Sequence, residues 1–316
     1  MKLLKILFLS AAFLFTLQAG KLPAYEIAIH LYVEHPALEQ AVLGFQNYLQ
    51  EAGLNATYKL RTAQARADAA NQIVSQIIGD KPDLIFVLAT PSAQATVNAV
   101  KDIPVLFTAV TDPVGAKLVS SWEKPGANVT GTSDMNPVAD QIALIKEIQP
   151  DLKTLGIIYN SGEANSTVQV KLAEEKAAEL GIELVKALTV NTAGVNAAAQ
   201  SLVGKVQAIY LPTDNTVISS LESVIAVCLD QKIPLYPAED DSIRKGGVAV
   251  ISLNYYQLGK QTGRMAERIL KDKTPPGSIP VEGQESPKLI VNKKFADALG
   301  LSVPESVLSR ADEILE

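Results

Sequence analysis

Short apolar runs alternate with longer segments of helical period from Tyr25 to the end of the chain. Runs rich in branched residues are typical of strands in a buried parallel sheet, and the segments between them are typical of helices that cover it. The predicted strands are residues 26–32, 56–60, 84–88, 105–108, 154–159, 183–187, 208–211, 235–237, 248–252 and 288–291. The predicted helices are residues 36–52, 66–79, 92–101, 137–148, 166–180, 193–202, 217–231, 256–271 and 293–299. The alternation therefore predicts an α/β fold with doubly wound parallel sheets.

The length of 316 residues predicts two lobes, because one domain commonly uses about 150 residues. Turn-forming residues at 123–128, followed by a mixed polar and apolar run at 129–132, indicate a link between the lobes. We expect boundaries near Ser133, Leu253 and Glu285, so that the chain crosses between the lobes three times and forms a hinge. The predicted first lobe is 25–133 with 254–284, and the predicted second lobe is 134–253 with 285–316.

The first twenty residues have the pattern of a secretory signal peptide. Lys2 and Lys5 precede an apolar run at 6–17, and the small residues Ala19 and Gly20 follow it. The run is shorter than the ~20 residues of a spanning helix, which favours cleavage near residues 19–24 over an uncleaved membrane anchor. We therefore expect export.

Position 21 bears on whether the exported chain carries a lipid. The segment L-Q-A-G-K at 17–21 resembles a lipoprotein cleavage site, but Lys21 stands where the lipid-bearing cysteine would be. No thioether anchor can form at a lysine, so we expect a freely diffusing protein in the periplasm.

Charge and cysteine content narrow the functional classes. A net charge of −6 and an isoelectric point near 5.2 disfavour nucleic acid, because phosphates require a basic surface. Cys228 is the single cysteine, so no intrachain disulfide can form, and its apolar neighbours predict a buried side chain. Aromatic residues make up 5 % of the chain, which argues against a sugar site built from stacked rings.

The pattern of reactive residues disfavours an enzyme. Only His30 and His35 could serve a Ser-His-Asp or Cys-His site, and the chain shows no nucleophile elbow, glycine-rich phosphate loop or metal-ligand spacing. We therefore expect no catalytic residue, no metal and no cofactor. An exported enzyme, a receptor for a membrane sensor and a repressor-type regulatory module are the alternatives.

Polar loops follow several predicted strands, and in doubly wound sheets such loops line the ligand crevice. Thr90 and Ser92 begin a predicted helix, where hydroxyl and N–H groups can hold a carboxylate or cap the helix. Asp214 is a candidate partner for a ligand ammonium, with helix capping as the alternative, and Tyr255 could wall the ligand. The candidate ligand-binding residues are Glu34, His35, Thr90, Pro91, Ser92, Ala93, Val110, Thr111, Asp112, Asn160, Ser161, Asp214, Asn215, Glu239, Asn254 and Tyr255.

Four ordered runs resemble one known family. They are Y-V-E-H-P-A-L at 32–38, F-T-A-V-T-D-P-V-G-A at 107–116, L-P-T-D-N-T-V at 211–217 and N-Y-Y-Q-L-G at 254–259. These runs resemble the TrpX-like, tryptophan/tyrosine-binding group of ABC-type substrate-binding proteins. The resemblance extends over nearly the whole chain after the signal peptide.

The resemblance implies a type I periplasmic binding fold, in which two Rossmann-like lobes joined by three connections close on a small, amino-acid-like ligand. It also implies docking on an ABC permease, with its ATPase, at the inner membrane; we expect a monomer. In the family, the position of Asn254 is often an aspartate. If that carboxylate meets the ligand ammonium, the neutral Asn254 either weakens the amino-acid assignment or shifts the charge role to Asp214 or Glu239.

Overall fold

The computed structural model of the protein describes residues 24–283 and 287–316. Its strands are β1 (Tyr25–Leu31), β2 (Ala56–Thr62), β3 (Leu84–Leu88), β4 (Val105–Thr108), β5 (Val129–Ser133), β6 (Thr154–Asn160), β7 (Glu183–Thr189), β8 (Ala208–Leu211), β9 (Leu235–Pro237), β10 (Ala249–Ser252), β11 (Glu282–Gly283), β12 (Lys288–Asn292) and β13 (Glu313–Leu315). Its helices are α1 (Pro36–Glu51), α2 (Ala67–Asp80), α3 (Thr90–Ala99), α4 (Val138–Ile148), α5 (Ala164–Glu179), α6 (Val195–Leu202), α7 (Asn215–Ile218), α8 (Leu221–Gln231), α9 (Asp240–Lys245), α10 (Tyr255–Leu270), α11 (Lys293–Leu299) and α12 (Glu305–Leu308). The predicted signal peptide at 1–20 and the predicted boundary at Glu285 lie outside the described residues.

The first lobe is built on a parallel sheet of six strands in the order β11-β5-β4-β3-β1-β2. Every residue of β3 is buried, as its uninterrupted apolar sequence L-I-F-V-L predicts. Phe45 of α1 stacks on Phe86 of β3 with 3.9 Å between the ring centroids. This contact anchors α1 on the sheet.

The second lobe combines a parallel sheet, β7-β6-β8-β9, with a three-stranded sheet, β10-β12-β13. Strands β10 and β12 pair antiparallel, so this small sheet departs from the predicted parallel arrangement. Parallel neighbouring strands are joined by a crossover connection that passes over their own sheet. The chain between β10 and β12 passes through the first lobe instead, so these two strands can pair antiparallel. The single cysteine, Cys228, is buried in the core of this lobe, where burial raises the pKa of its thiol to about 12.

Two separate apolar cores show how the chain is divided. One core takes its buried residues from 27–129 and 255–281, and the other from 138–249 and 289–307. The chain therefore passes between the cores three times. The α/β class with parallel sheets in two lobes is as predicted.

The structure corrects the predicted link between the lobes. Residues 129–133 form β5, which pairs with β4 inside the first sheet, so the turn at 123–128 lies within the first lobe. The predicted helix at 217–231 is divided into α7 and α8 at Ser219 and Ser220. The Ser219 hydroxyl donates to the carbonyl of Thr216 at 2.9 Å, a local hydrogen bond that competes with helix continuation.

Within residues 24–283 and 287–316, none of the helices has the length and apolar character needed to cross a membrane.

Candidate ligand-binding cleft

A narrow cavity lies between the two lobes. Its lining comes from the loops and first helical turns that follow β1, β4, β5, β6, β8, β9 and β10, which places it at the carboxyl ends of strands from both lobes. Its lining residues are His35, Leu38, Ala109, Thr111, Asp134, Asn165, Thr213, Asp214, Asn215, Ile218, Glu239 and Tyr255.

A wider groove of about 490 Å³ lies at the second and third crossings. It includes the predicted residue Asn254, but Asn254, Arg264 and Lys288 on its walls are exposed to solvent. The buried polar side chains concentrate instead at the interlobe cavity. We therefore take the interlobe cavity as the candidate site.

Helices α1 and α10 hold two lining residues of the first lobe in fixed positions. A Cβ atom added at Gly259 would lie 2.0 Å from the backbone oxygen of Ala41, so only glycine allows the two helices to approach this closely. His35 directly precedes α1, and Tyr255 begins α10. The close crossing therefore sets the separation of His35 and Tyr255 at the cavity.

Asp134 lies in the first crossing, the segment between the two cores after β5, and its carboxylate is hydrogen-bonded to the first lobe. The Tyr255 hydroxyl donates to its Oδ2 at 2.6 Å, and the Thr111 hydroxyl donates to its Oδ1 at 3.0 Å. Burial raises the pKa of the Asp134 carboxyl. Burial, together with the charge of Asp134, also raises the pKa of Tyr255 well above its usual range, so the phenol stays a donor.

Asp214 is fully buried and caps α7. Its Oδ1 accepts from the backbone N–H of Val217 at 2.9 Å, and its Oδ2 accepts from the N–H of Asn160 and the hydroxyl of Ser166, both at 2.6 Å. Burial, followed by the charge of Glu163, raises the pKa of Asp214 to about 7. These contacts correspond to the capping alternative rather than to a free partner for an ammonium.

Glu163 is a second buried carboxylate beside the cavity, and the sequence analysis did not select it. Its Oε1 accepts from the N–H and hydroxyl of Thr216, and its Oε2 accepts from the N–H and side-chain amide of Asn215 and the amide of Asn165. Its oxygens thus serve donors at the start of α7. The polar loop at 160–166 was the available sequence signal.

Glu239 lines the cavity from the loop between β9 and α9 and is 2 % exposed. The hydroxyl of Ser242 donates to its Oε1. Burial is the main cause that raises the pKa of Glu239 to about 8, and the charges of Asp241 and Asp134 add to it.

Several buried polar atoms around the cavity lack a hydrogen-bond partner. His35 Nδ1 and Asn165 Oδ1 belong to lining residues, Thr90 Oγ1 lies at the start of α3, and both amide atoms of Asn136 lie in the first crossing. Each unpaired buried polar group costs about 1–3 kcal/mol, so a bound ligand or water is expected to supply partners here. Burial also lowers the pKa of His35 to about 4, so its ring is neutral.

The backbone is strained where β3 and β4 end. Ala89 has φ 73° and Ala109 has φ 53°, both in the left-handed region that disfavours residues with a Cβ. Such conformations cost about 1–3 kcal/mol each and cluster at ligand sites. Ala89 precedes α3, and Ala109 lines the cavity.

The structure brings together some of the predicted site residues and separates others. His35, Thr111, Asp214, Asn215, Glu239 and Tyr255 line the cavity. Thr90, Ser92, Ala93, Val110 and Asn160 are buried outside its lining, whereas Pro91 and Asp112 are partly exposed. Glu34, Ser161 and Asn254 lie at the surface. The lining residues that were not selected are Leu38, Ala109, Asp134, Asn165, Thr213 and Ile218.

Some of the buried candidates have partners within their own lobe. The Ser92 hydroxyl lies 3.1 Å from Nε2 of His30, and the Asn160 amide donates to the Thr216 hydroxyl at 2.9 Å. Asp112 accepts from the N–H of Gly115 and so closes a local turn.

The fold and the interlobe cavity define a two-lobed solute-binding protein. The family model described as ABC transporter substrate binding protein matches residues 26–315. The chain belongs to this family, and the solute-binding protein of an ABC importer is the class predicted from the sequence.

Known relatives extend the comparison to individual proteins. The chain is 39 % identical over 279 residues to the tyrosine-binding protein of Clostridioides difficile, covering 87 % of this chain and 81 % of the relative. It is 33 % identical to an ABC domain from Streptococcus pneumonia in complex with L-Trp, covering 93 % and 100 % of the two chains with a TM-score of 0.89.

A third structure is similar to this chain in sequence but less similar in overall shape. The ligand-free, open structure of a substrate-binding protein with adhesive properties from Clostridium difficile is 40 % identical, and the match covers 92 % of this chain and 99 % of that chain. Its TM-score is only 0.67, below that of the L-Trp complex, although its sequence identity is higher. In overall arrangement, the described residues are closer to the ligand-bound structure.

Proposed function

We propose that the protein binds an aromatic L-amino acid in the interlobe cavity and delivers it to a membrane permease. The observation that carries this proposal is the charge of the cavity. Asp134, Asp214 and Glu239 line it and are buried, whereas no lysine or arginine of the described residues is buried. A zwitterionic ligand supplies the missing cation. The names of the tyrosine-binding relative and of the L-Trp complex support the aromatic side chain.

The ligand carboxylate is proposed to bind at the start of α3, which adjoins the cavity because the Ala89 N–H donates to the carbonyl of Thr108, next to the lining residue Ala109. The residue before this helix, Ala89, provides no side-chain cap, and the Thr90 hydroxyl is buried without a partner. A helix N-terminus offers free N–H groups and a positive dipole end to an anion. Thr90 and Ser92 therefore keep their predicted role in this proposal, and the Ser92 hydroxyl also contacts His30.

The ligand side chain is proposed to lie against the apolar part of the lining. Leu38, Ala109 and the ring of Tyr255 come from the first lobe, and Ile218 comes from the second. Both lobes must approach each other for these groups to surround one ring. Binding and closure are thus the same event in this proposal.

The moving bodies are proposed to be residues 25–133 with 254–284 and residues 134–253 with 285–316. The two apolar cores support this division, because few buried apolar side chains would change neighbours if the cores moved apart. The closed form is then the signal that the permease and its ATPase recognise. We further propose a periplasmic monomer, exported by the signal peptide at 1–20 and without a lipid anchor because of Lys21.

Calorimetry tests the proposed ligand class. The purified protein is unfolded, washed free of bound ligand, refolded and titrated with each of the twenty amino acids. We expect binding of tyrosine, tryptophan or both. Native mass spectrometry of the untreated protein should show the mass of the same ligand. Absence of binding for every aromatic amino acid would contradict the proposal.

A further inference from the structure

The buried carboxylates around the cavity differ in how many protein donors their oxygens serve. Both oxygens of Asp214 and both oxygens of Glu163 accept hydrogen bonds from their own lobe. Asp134 has one hydroxyl donor on each oxygen. Glu239 has a donor, Ser242, on Oε1 only, and no group of the described residues donates to its Oε2.

The cations nearest to Glu239 along the chain are engaged elsewhere. Arg244 pairs with Asp240 and Glu313, and Lys245 pairs with Glu222. The groups whose charges act on Glu239 are instead acidic: Asp241, Asp134 and Asp240. A buried carboxylate among negative charges, with an oxygen that lacks a donor, requires a cation or a proton.

We propose that Glu239 is the residue that accepts the ligand's primary ammonium, with Asp134 as the second carboxylate facing it. This assignment rests on the proposed function and deepens it, because it names the chemical group on which selection depends. An ammonium has three N–H donors and no acceptor, which suits one free carboxylate oxygen beside a second carboxylate. Asp214 holds α7 in place and takes no direct part.

The proposal makes a prediction about ligand chemistry. The protein should prefer a ligand with a free amine over the same molecule without it, because the des-amino ligand supplies no ammonium and only a proton can then neutralise Glu239. Truncating one partner of a buried charge pair corresponds to a loss of at least about 30-fold in affinity. L-tyrosine and L-tryptophan should therefore bind at least that much more tightly than 3-(4-hydroxyphenyl)propionate and 3-indolepropionate.

The test compares these four ligands on the wild type and on Glu239→Gln by calorimetry. Glutamine keeps the shape of the side chain and its contact with Ser242 but removes the charge. We expect Glu239→Gln to lose at least about 30-fold for the amino acids and less than about threefold for the des-amino ligands, so that the preference disappears. Thermal unfolding of each variant checks that it is folded.

Asp241→Asn is the matched control, because it removes a neighbouring negative charge that does not line the cavity. It should keep the preference for the amino acid. If Glu239→Gln does not fold, Glu239→Asp is tested instead, because aspartate keeps the negative charge on a shorter side chain. The Glu239→Asp protein should show a smaller preference for the amino acid over the des-amino ligand.

The outcomes separate this assignment from the proposed function. A wild type that prefers the amino acid, together with a Glu239→Gln protein that keeps the preference, overturns the role of Glu239 alone. Equal losses for amino acid and des-amino ligand also overturn it, because they indicate a general defect of the cleft. A wild type that binds none of the four ligands overturns the proposed function, and the assignment falls with it.

Discussion

Two pairs of buried acidic residues lie around the interlobe cavity and differ in what their oxygens do. Glu163 and Asp214 accept N–H and O–H groups at the start of α7. Asp134 and Glu239 have fewer donors, and Glu239 has an oxygen with none among the described residues. All four side chains are at most 3 % exposed. The two pairs therefore differ in the number of donors that their oxygens accept and not in burial.

The largest effect is expected from Glu163→Ala. The substitution leaves the buried donors of Asn215 and Thr216 without an acceptor, which should lower the free energy of unfolding by at least about 3 kcal/mol. Urea denaturation measures this loss. Glu239→Gln is the comparison and should change the free energy by less than about 1 kcal/mol. Similar losses in the two variants would show that the two acidic pairs have the same role.

The pH dependence of closure should depend on Glu239. Its pKa is about 8 in this structure, whose lobes enclose it, and near 4.5 when the side chain is in water, so a form that buries Glu239 holds a proton between these values. Closure of the ligand-free protein is therefore favoured below about pH 4.5 and weakened as the pH rises through 8, by up to about tenfold in the closed-to-open ratio per pH unit.

Small-angle scattering between pH 5 and 8.5 measures this effect. The radius of gyration of the ligand-free protein should increase with pH, and Glu239→Gln should flatten the curve. The charges of Asp134 and Asp241, whose carboxyl pKa values are also raised, account for any slope that persists. A wild-type radius independent of pH would contradict the expectation.

A smaller effect is expected from Tyr255→Phe. The substitution removes the hydroxyl that donates to Asp134 at 2.6 Å and leaves the ring in place. A hydrogen bond to a charged group is worth about 1.5–3 kcal/mol, so the affinity for the aromatic ligand should fall by about tenfold or more. Calorimetry at neutral pH checks this. Tyr256→Phe, on the next residue of α10, should leave the affinity unchanged.

The smallest effect is expected from Glu34→Ala. Glu34 is a predicted ligand-binding residue, but the structure places it at the surface outside the cavity lining. Substitutions at such positions change free energies by less than about 0.5 kcal/mol, so the dissociation constant should stay within about threefold. A larger loss of affinity would restore Glu34 to the site and weaken the link between the lining and ligand binding.

The strands that the sequence analysis missed show where pattern recognition fails. Strand β5 has the sequence V-T-G-T-S, which lacks the apolar run of a buried strand, yet all five residues are buried. The Thr132 hydroxyl lies 2.9 Å from that of Thr108 and 2.8 Å from that of Thr262. Hydroxyl groups that form hydrogen bonds with one another can occupy core positions. Their partners are distant in sequence, so a local pattern does not reveal them.

The site shows the same limit. Loops after strands led to His35, Glu239 and Tyr255, because the carboxyl ends of parallel strands meet at one edge. Asp134 was missed because its partners Thr111 and Tyr255 are 23 and 121 residues away along the chain. The role of Asp214 was left open between a ligand and a cap, since both uses require the same carboxylate.

The α/β class, the two lobes and most of the loops that line the interlobe cavity were determined by the sequence alone, because apolar periodicity and turn residues act over short distances. The tertiary structure decided the use of each buried carboxylate. That use depends on which donors from other elements surround Asp214 and leave Glu239 incomplete. Hydrogen bonds between distant residues are set only when the chain is folded, so no local pattern predicts them.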